Sequence, residues 1–321
     1  MAASSPFELV TLGETMLALV PGASGPLRYV NSFHPRIAGA ESNLAIGLAK
    51  LGHSASWISR LGDDEFGHYV NNMIRAEGVD VSGVTFDPDH RTGLMFKEMS
   101  AGETKVYYYR ENSAASCMTP ADVRAETLVG AKILHLTGIT PILSDSCAET
   151  VRHAMSLADT HSIRISIDPN IRRRLWKGRD YAPLLKELTL KSHIVLLGLD
   201  EAEAMFKTEA PEEIFDILLT GGGRAEAVAI KNGADGAWVA DRNTRKRIPP
   251  MQCVCVEPIG AGDAFNAGFL AGLLEGLDIG MCGRMGNIAG GLATQVVGDI
   301  EGYPSRQKMR DILTSAKEIY R

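Results

Sequence analysis

The sequence predicts a doubly wound α/β fold, in which a mainly parallel β-sheet is flanked by helices. Two observations predict it. Short apolar runs typical of buried strands recur along the chain, and helical patterns lie between them, without a repeat or linker. The predicted strands are 7–12, 132–136, 163–167, 193–197 and 227–230.

Helices are predicted where apolar residues recur at helical spacing. They cover residues 41–51, 64–77, 143–158 and 263–274. Because the strands and helices alternate without interruption, we expect one α/β domain over residues 1–321.

Two segments depart from this alternation, at residues 15–37 and 91–112. Their pattern is nearer period two, with Tyr108 and Arg110 on one face of a strand, which favours antiparallel pairing. We expect these segments to form a small β lid beside the main sheet. Residues 236–256 are also predicted to be antiparallel, with a polar turn at 241–244.

Composition and charge exclude several classes of function. The net charge of −6, with basic residues scattered along the chain, argues against nucleic acid or anionic membrane as a partner. No apolar run reaches the roughly 18 residues of a membrane span, and residues 1–6 lack the charged and apolar regions expected of a signal peptide. Five cysteines without CxxC spacing indicate neither a disulfide framework nor a zinc site, so we expect a cytoplasmic protein.

The strongest local motif runs from residue 253 to residue 268, where an apolar strand is expected to lead through a small-residue loop into an amphipathic helix. The backbone N–H groups of Gly260, Ala261 and Gly262 suit a phosphate, and a helix N-terminus adds about half a positive charge. Asp263 then lies in the first turn of the helix, where it could equally be a simple N-cap. The chain has no Gly-Lys pair for a Walker A loop and no protein-kinase catalytic loop.

Two spaced motifs resemble the signatures of the ribokinase-like (PfkB) sugar kinases. The N-terminal signature is matched by Ala38-Gly39-Ala40-Glu41-Ser42-Asn43-Leu44-Ala45 and by residues 61–67, and the C-terminal signature by Gly260-Ala261-Gly262-Asp263. With residues 231–236 and 286–291, the resemblance covers nearly the whole chain. It implies ATP-dependent phosphorylation of a small sugar, with Mg²⁺ as the metal.

The resemblance also implies a role for each matching residue. Asp263 would remove the proton from a substrate hydroxyl, and the three preceding residues would stabilise the transferred phosphoryl group. The sugar would contact Gly39, Ala40 and Asn43, although Asn43 alone would be interpreted as a packing or capping residue. The nucleotide would contact Lys231, Gly233, Gly236 and, on the last long helix, Asn287; without the resemblance, residues 227–239 are only a hairpin.

The substrate is suggested by further similarity to 2-keto-3-deoxygluconate kinases, in residues 106–110, 168–172 and 298–302. Tyr108 and Arg110 would point from the lid into the pocket, and Arg172 follows a predicted strand at the edge where open α/β sheets bind ligands. Two guanidinium groups suit the carboxylate of an acid sugar. Alternatively, 172–174 is a solvated basic turn and 107–109 an ordinary strand.

Two departures from the family pattern concern the binding of cations. Glu257 replaces the aspartate that commonly opens the second signature and that helps some relatives to hold a monovalent cation, so dependence on such a cation is left open. A motif that supports magnesium in many members has lost its asparagine, and only Glu201 remains to act through water.

The leading hypothesis is therefore phosphorylation of 2-keto-3-deoxygluconate. The alternatives are a kinase of fructose or 5-keto-2-deoxygluconate, a non-catalytic sugar sensor and a dinucleotide-dependent oxidoreductase. An intact Asp263 argues against the sensor, and the missing glycine fingerprint after the first strand argues against the oxidoreductase. Exposed lid edges also predict a homodimer through the lid.

Overall fold

The computed structural model describes residues 7–100 and 103–319 of the 321 residues. The strands in this part of the chain are β1 (Leu9–Leu12), β2 (Met16–Pro21), β3 (Phe33–Ala38), β4 (Ala55–Gly62), β5 (Asp80–Asp87), β6 (Leu94–Ser100), β7 (Glu103–Tyr109), β8 (Ile133–Thr137), β9 (Arg164–Asp168), β10 (Ile194–Gly198), β11 (Ala227–Lys231), β12 (Ala237–Asp241) and β13 (Arg245–Ile248). The α-helices are α1 (Ala40–Lys50), α2 (Glu65–Ala76), α3 (Ala125–Leu128), α4 (Asp145–Thr160), α5 (Ala182–Leu190), α6 (Leu199–Phe206), α7 (Pro211–Leu219), α8 (Ala261–Leu274), α9 (Ile279–Ala293) and α10 (Arg306–Ile319).

The main sheet has the strand order β13-β12-β11-β10-β9-β8-β1-β4-β5. Neighbouring strands from β5 to β11 are parallel, and β12 and β13 are antiparallel at one edge. The chain builds outward from β1 in one direction with β4 and β5, and then in the other direction from β8 onward. The doubly wound, mainly parallel sheet predicted from the sequence is thus confirmed, and its switch point, where ligands usually bind, lies between β1 and β8.

Both faces of this sheet are covered by helices. Along β10, Ile194 and Leu196 join the apolar layer beneath α1, α2, α8 and α9, whereas Val195 and Leu197 join the layer beneath α4 to α7. Successive side chains of a strand point to opposite faces, so burial on both sides requires every residue to be apolar. This is why the sequence shows continuous apolar runs at these strands.

A second sheet has the strand order β3-β2-β6-β7. Its two antiparallel hairpins come from the two period-two segments of the sequence, and they join through parallel pairing of β2 with β6, where Leu17 lies opposite Leu94. The chain leaves the main sheet after β1 to form the first hairpin and after β5 to form the second.

Three details of the sequence prediction are wrong. Residues 249–259 form no strand, since Val254 is 82% exposed and the backbone there bonds to the end of α9 through Val256 N–H and Thr294 O, 2.7 Å apart. Helix α8 is not amphipathic, because it lies between α1 and α9 and is buried from Ala264 to Gly272. Asn287 lies on α9, and α10 follows it.

Candidate active site

A cleft of about 770 Å³ lies between the carboxyl ends of the main-sheet strands and the second sheet. The strands contribute Asp168, Gly198 and Lys231, and the second sheet contributes Met16 and Met95. The predicted site residues that line this cleft are Gly39, Ala40, Asn43, Tyr108, Arg110, Arg172, Glu201, Lys231, Gly260, Gly262 and Asp263.

The glycine loop, residues 258–262, leads into α8. Gly260 has φ +81°, and a Cβ there would lie 2.2 Å from the carbonyl oxygen of Asp299, so only glycine fits. Ala261 N–H donates to Pro258 O at 3.3 Å, and the first helical bond runs from Ala264 N–H to Gly260 O. Within the described residues, the N–H groups of Gly262 and Asp263 have no acceptor, so they are available to an anion.

Asp263 is held by the neighbouring helix α1, which carries part of the N-terminal signature. Asn43 Nδ2 on α1 donates to Asp263 Oδ2 at 2.9 Å. Burial raises the pKa of Asp263 to about 7; the Asn43 hydrogen bond opposes this rise, and the charge of Asp168 adds to it. Such a carboxyl can exchange a proton near neutral pH, which is the property required of a general base.

A buried network lies below Asp263, at the end of β9. Asp168 Oδ2 accepts hydrogen bonds from Lys231 Nζ and from Asn266 Nδ2, both at 2.6 Å. Burial alone would raise the pKa of Asp168, but the charge of Lys231 and its hydrogen bond lower it overall. Lys231 Nζ also lies 3.9 Å from the position that a Cβ on Gly262 would occupy, so the positive charge of Lys231 is close to the glycine loop.

Glu201 lies in the first turn of α6 and caps the N-terminus of that helix. Its two oxygens accept hydrogen bonds from Ile171 N–H at 2.8 Å and from Gly198 N–H at 2.7 Å. Burial raises its pKa to about 7, and the charge of Asp168 acts in the same direction. The described residues contain no group of three or more His, Cys, Asp or Glu side chains placed to hold a metal ion.

The two predicted arginines differ in their surroundings. Arg110, 9% exposed, forms an ion pair with the buried Glu14, whose Oε1 also accepts a hydrogen bond from Ser113 Oγ at 2.5 Å. Arg172 is exposed, and no carboxylate within the described chain pairs with it, although its charge lowers the pKa of Asp263. The positive charge of Arg110 is therefore neutralised by Glu14, whereas that of Arg172 has no such partner among the described residues.

The start of α1 packs closely on the strand connection before β2. A Cβ on Gly39 would lie 2.6 Å from Glu14 O, so the wall of the cleft depends on this glycine. Glu41, in the first turn of α1, is buried and its Oε1 accepts hydrogen bonds from Thr137 and Thr140 at 2.6 and 2.7 Å. Burial raises the pKa of Glu41.

Four predicted residues do not line the cleft: Ala261, Gly233, Gly236 and Asn287. Gly236, with φ +91°, allows close approach of the β11–β12 turn to Ile248 O, which a Cβ would meet at 2.2 Å. Asn287 Nδ2 donates to Ile248 O and Pro249 O, at 3.1 and 2.8 Å, and so fixes the chain after β13.

Sequence reasoning assigned no role to several side chains of the cleft, namely Glu14, Glu41, Asp168 and Asp299. Glu14 had a detectable signal, because it is a single carboxylate between two buried strands. In the sequence, Asp168 stands out only as part of the motif before Arg172. Asp299 likewise lies in the matched segment 298–302, but that similarity gives it no role of its own.

Comparison with known proteins identifies the family. The model of the pfkB family carbohydrate kinases matches residues 7–306. This chain belongs to the pfkB family. It is an ATP-dependent carbohydrate kinase, as the resemblance of its two signatures implied.

Two curated relatives carry the same functional name. The chain is 35% identical to the 2-dehydro-3-deoxygluconokinase of Bacillus subtilis over 317 residues, covering 98% of this chain and 97% of the relative. It is 33% identical to the 2-dehydro-3-deoxygluconokinase of Thermoproteus tenax, covering 97% of this chain and 95% of that relative. A solved 2-dehydro-3-deoxygluconokinase from Thermotoga maritima has the same fold, with a TM-score of 0.89, 24% identity and coverage of 97% and 100%. Among the described residues, no helix of this pfkB kinase is long and apolar enough to cross a membrane.

Proposed function

We propose that this kinase transfers the γ-phosphoryl group of ATP to the terminal hydroxyl of 2-keto-3-deoxygluconate, the sugar acid also called 2-dehydro-3-deoxygluconate. The observation that carries the proposal is Asp263, whose pKa burial raises to about 7 and which lines the cleft together with the glycine loop, where two N–H groups have no acceptor among the described residues. The similarity to two kinases named for this sugar supports the choice of substrate.

In the proposed reaction, Asp263 accepts the proton of the terminal hydroxyl as its oxygen attacks the γ-phosphorus. The bond from phosphorus to the β–γ bridging oxygen breaks, and ADP leaves with that electron pair. Gly260, Ala261 and Gly262 form the anion hole, with the Gly262 and Asp263 N–H groups as its free donors. The bond from Asn43 keeps the Asp263 carboxyl turned toward the sugar.

The nucleotide is proposed to lie beside β11 and α9. Lys231 supplies positive charge next to the glycine loop. The turn containing Gly233 and Gly236 and the partly buried Asn287 on α9 form the remaining contacts. Mg²⁺ would neutralise charge on the ATP phosphates. Glu201 suits a contact to it through water, because both carboxylate oxygens are already fixed by backbone N–H groups and the cation keeps much of its hydration.

The charge of the substrate is proposed to be recognised mainly by Arg172. Its guanidinium lines the same cleft as Asp263 and lacks an ion pair within the described chain, so a sugar carboxylate could pair with it. Arg110 would share its charge between Glu14 and the substrate, and Tyr108, stacked near Arg110, would add a hydroxyl contact.

The test compares kcat/KM for 2-keto-3-deoxygluconate and for fructose in wild type and in Arg172→Ala. Loss of one hydrogen bond to a charged group costs about 1.5–3 kcal/mol, so kcat/KM for the acid sugar should fall roughly 10- to 150-fold. The KM for ATP should change little. Arg179→Ala is the matched control, since Arg179 lies near Arg172 in sequence but pairs with Asp145 outside the cleft.

Arg110→Ala is a weaker test of charge recognition, because it also leaves buried Glu14 without its cation. If wild type prefers fructose, or if Arg172→Ala lowers kcat/KM equally for both sugars, the hypothesis that Arg172 binds a substrate carboxylate is wrong. A fructokinase would then be the better assignment.

We further propose that the second sheet acts as a lid over the sugar and as the interface of a homodimer, and that the kinase works in the cytoplasm. The inner residues of the sheet line the cleft, which supports the first role. Aromatic residues on its outer face support the second.

A further inference from the structure

A lysine ammonium is buried outside the cleft, between the second sheet and the glycine loop. Lys97 lies on β6, and its side chain is 1% exposed. Its Nζ is 2.9 Å from Asp299 Oδ1 and 3.3 Å from Glu257 Oε1. Both carboxylates are buried as well. A lysine is almost never buried in this way unless its charge is paired.

The two carboxylates belong to the two chain segments that shape the glycine loop. Glu257 immediately precedes the loop, and its Oε2 accepts the Gly298 N–H at 2.8 Å. The backbone of Asp299 packs against Gly260, where a Cβ would lie 2.2 Å from Asp299 O. Tyr303 Oη, a few residues later, donates to Gly260 O at 3.0 Å. Any change in the distance between Glu257 and Asp299 would therefore move the loop.

We propose that the Lys97 ammonium is a built-in monovalent cation that positions the glycine loop for phosphoryl transfer and ties strand β6 to it. Two buried carboxylates close together repel each other unless a cation lies between them. A cation tethered to the chain holds them without a free ion from solution. Lys97 does not line the cleft, so it is a positioning residue that acts through the loop.

The ionisation of the cluster agrees with this role. Burial lowers the pKa of Lys97, but the charge of Asp299 and then that of Glu257 raise it overall, so Lys97 is charged at neutral pH. Burial raises the pKa of Asp299, and Lys97 opposes that rise. The ammonium thus favours the ionised carboxylate.

A merely structural ion cluster would stabilise the fold without affecting turnover specifically. The proposal requires more: a cation, from any source, must be present between Glu257 and Asp299 for the loop to bind the transferred phosphoryl group. Because the loop acts on the reacting group, its displacement should lower kcat more than it raises KM for the sugar.

The experiment measures kcat and KM in potassium chloride and in choline chloride at equal ionic strength, with the sugar that wild type phosphorylates fastest. Wild type should show the same kcat in both salts. Lys97→Met, which keeps the length and removes the charge, should lose about 10²-fold in kcat in choline, with KM for the sugar nearly unchanged. Potassium or ammonium should restore part of that loss. Lys105→Met is the control, because Lys105 is exposed on neighbouring β7, and it should behave as wild type in both salts.

A folded Lys97→Met with normal kcat, or with a loss that no monovalent cation reverses, would overturn the proposal. The wild-type comparison needs no variant, so it decides even if Lys97→Met fails to fold: a strong rise of kcat with potassium would contradict a built-in cation. The inference rests on the proposed role of the glycine loop. Asp263→Asn, measured in parallel, separates the two, since near-normal turnover there would refute the active site itself.

Discussion

Asp263 occupies a helix start without acting as a cap. The residue that caps α8 is Gly260, and no side chain accepts a capping hydrogen bond there. The Asp263 carboxyl is bonded instead to Asn43, which is 220 positions away in the sequence. A carboxylate held by a distant amide next to free N–H groups is arranged for a ligand, because a cap would bond to its own helix.

Replacing Asp263 with Asn should therefore leave binding largely intact and reduce turnover. We expect kcat to fall at least about 10²-fold, the usual scale for loss of a general base, with small changes in KM for ATP and sugar. Asp278→Asn is the matched control, since Asp278 caps the next helix and accepts Gly280 N–H at 3.0 Å. Steady-state kinetics of both folded variants make the comparison, and near-wild-type turnover by Asp263→Asn would remove it from the role of base.

The pKa of Asp263 also predicts the pH dependence of the reaction. Only the ionised carboxylate can accept a proton, and with burial raising its pKa to about 7 that form is lost as pH falls through this value. We expect kcat/KM to fall about tenfold per pH unit below the pKa and to level off above it. Glu201 has a similar pKa of about 7, so the profile is repeated in Glu201→Gln. A flat wild-type profile, or an inflection that disappears in Glu201→Gln, would argue against Asp263.

At the scale of elements, the second sheet forms one wall of the cleft. Its inner residues Met16, Met95, Val106 and Tyr108 line the cleft opposite the glycine loop. A sugar bound between them would contact both sheets and exclude water, which would otherwise compete for the phosphoryl group.

We expect saturating sugar to slow amide hydrogen exchange in residues 15–37 and 91–112. The β12–β13 hairpin is an internal control, because it is antiparallel like the second sheet but lies at the far edge of the main sheet. Exchange measured by mass spectrometry with and without sugar gives the comparison. Equal exchange of the lid segments in both states would count against closure.

The elements were predictable from the sequence wherever burial imposes a regular pattern. Parallel strands buried on both faces must be apolar throughout, and β2 of the second sheet is apolar for the same reason, because Met16 and Leu17 belong to different buried clusters. Strand β7 alternates, since Val106 and Tyr108 line the cleft and the residues after them do not. The strand prediction failed in residues 249–259 for a physical reason. The valines there are exposed, and the backbone bonds to the end of α9 and not to a strand.

The candidate site was predictable only where a residue lies in a local motif. Asp263, Gly260 and Asn43 stand in such motifs, and the structure brings them together. The pairing of Arg110 with Glu14 could not be foreseen, because it depends on how two strands distant in sequence meet. The position of Lys97 between two carboxylates depends on three segments at once.

At the scale of the whole molecule, the outer face of the second sheet suggests assembly. Phe33, Phe96 and Tyr109 form a row of edge-to-face rings there, 5.5 Å apart between successive centroids, and Tyr109 is 65% exposed. Exposed aromatic groups of this kind are typical of interface centres.

We expect light scattering to give twice the mass of one chain for wild type, and Tyr109→Glu to shift the equilibrium toward monomer by at least about tenfold, because a carboxylate would be buried at the contact. Leu277→Glu is the control, since Leu277 is exposed at the turn between α8 and α9, away from the second sheet. A monomeric wild type, or a dimer unaffected by Tyr109→Glu, would contradict the proposed interface.

The strand order has a consequence for how the chain acquires activity during synthesis. After β1, β4 and β5 have paired, β8 adds beside β1, and every later strand up to β13 adds beside the one made just before it. Because the chain leaves the ribosome N-terminus first, these strands can join the sheet in the order in which they are translated. The glycine loop and α8 emerge only after the last strand. A nascent chain can thus pair every strand of its main sheet before Asp263 has been made, so we expect incomplete chains to lack kinase activity.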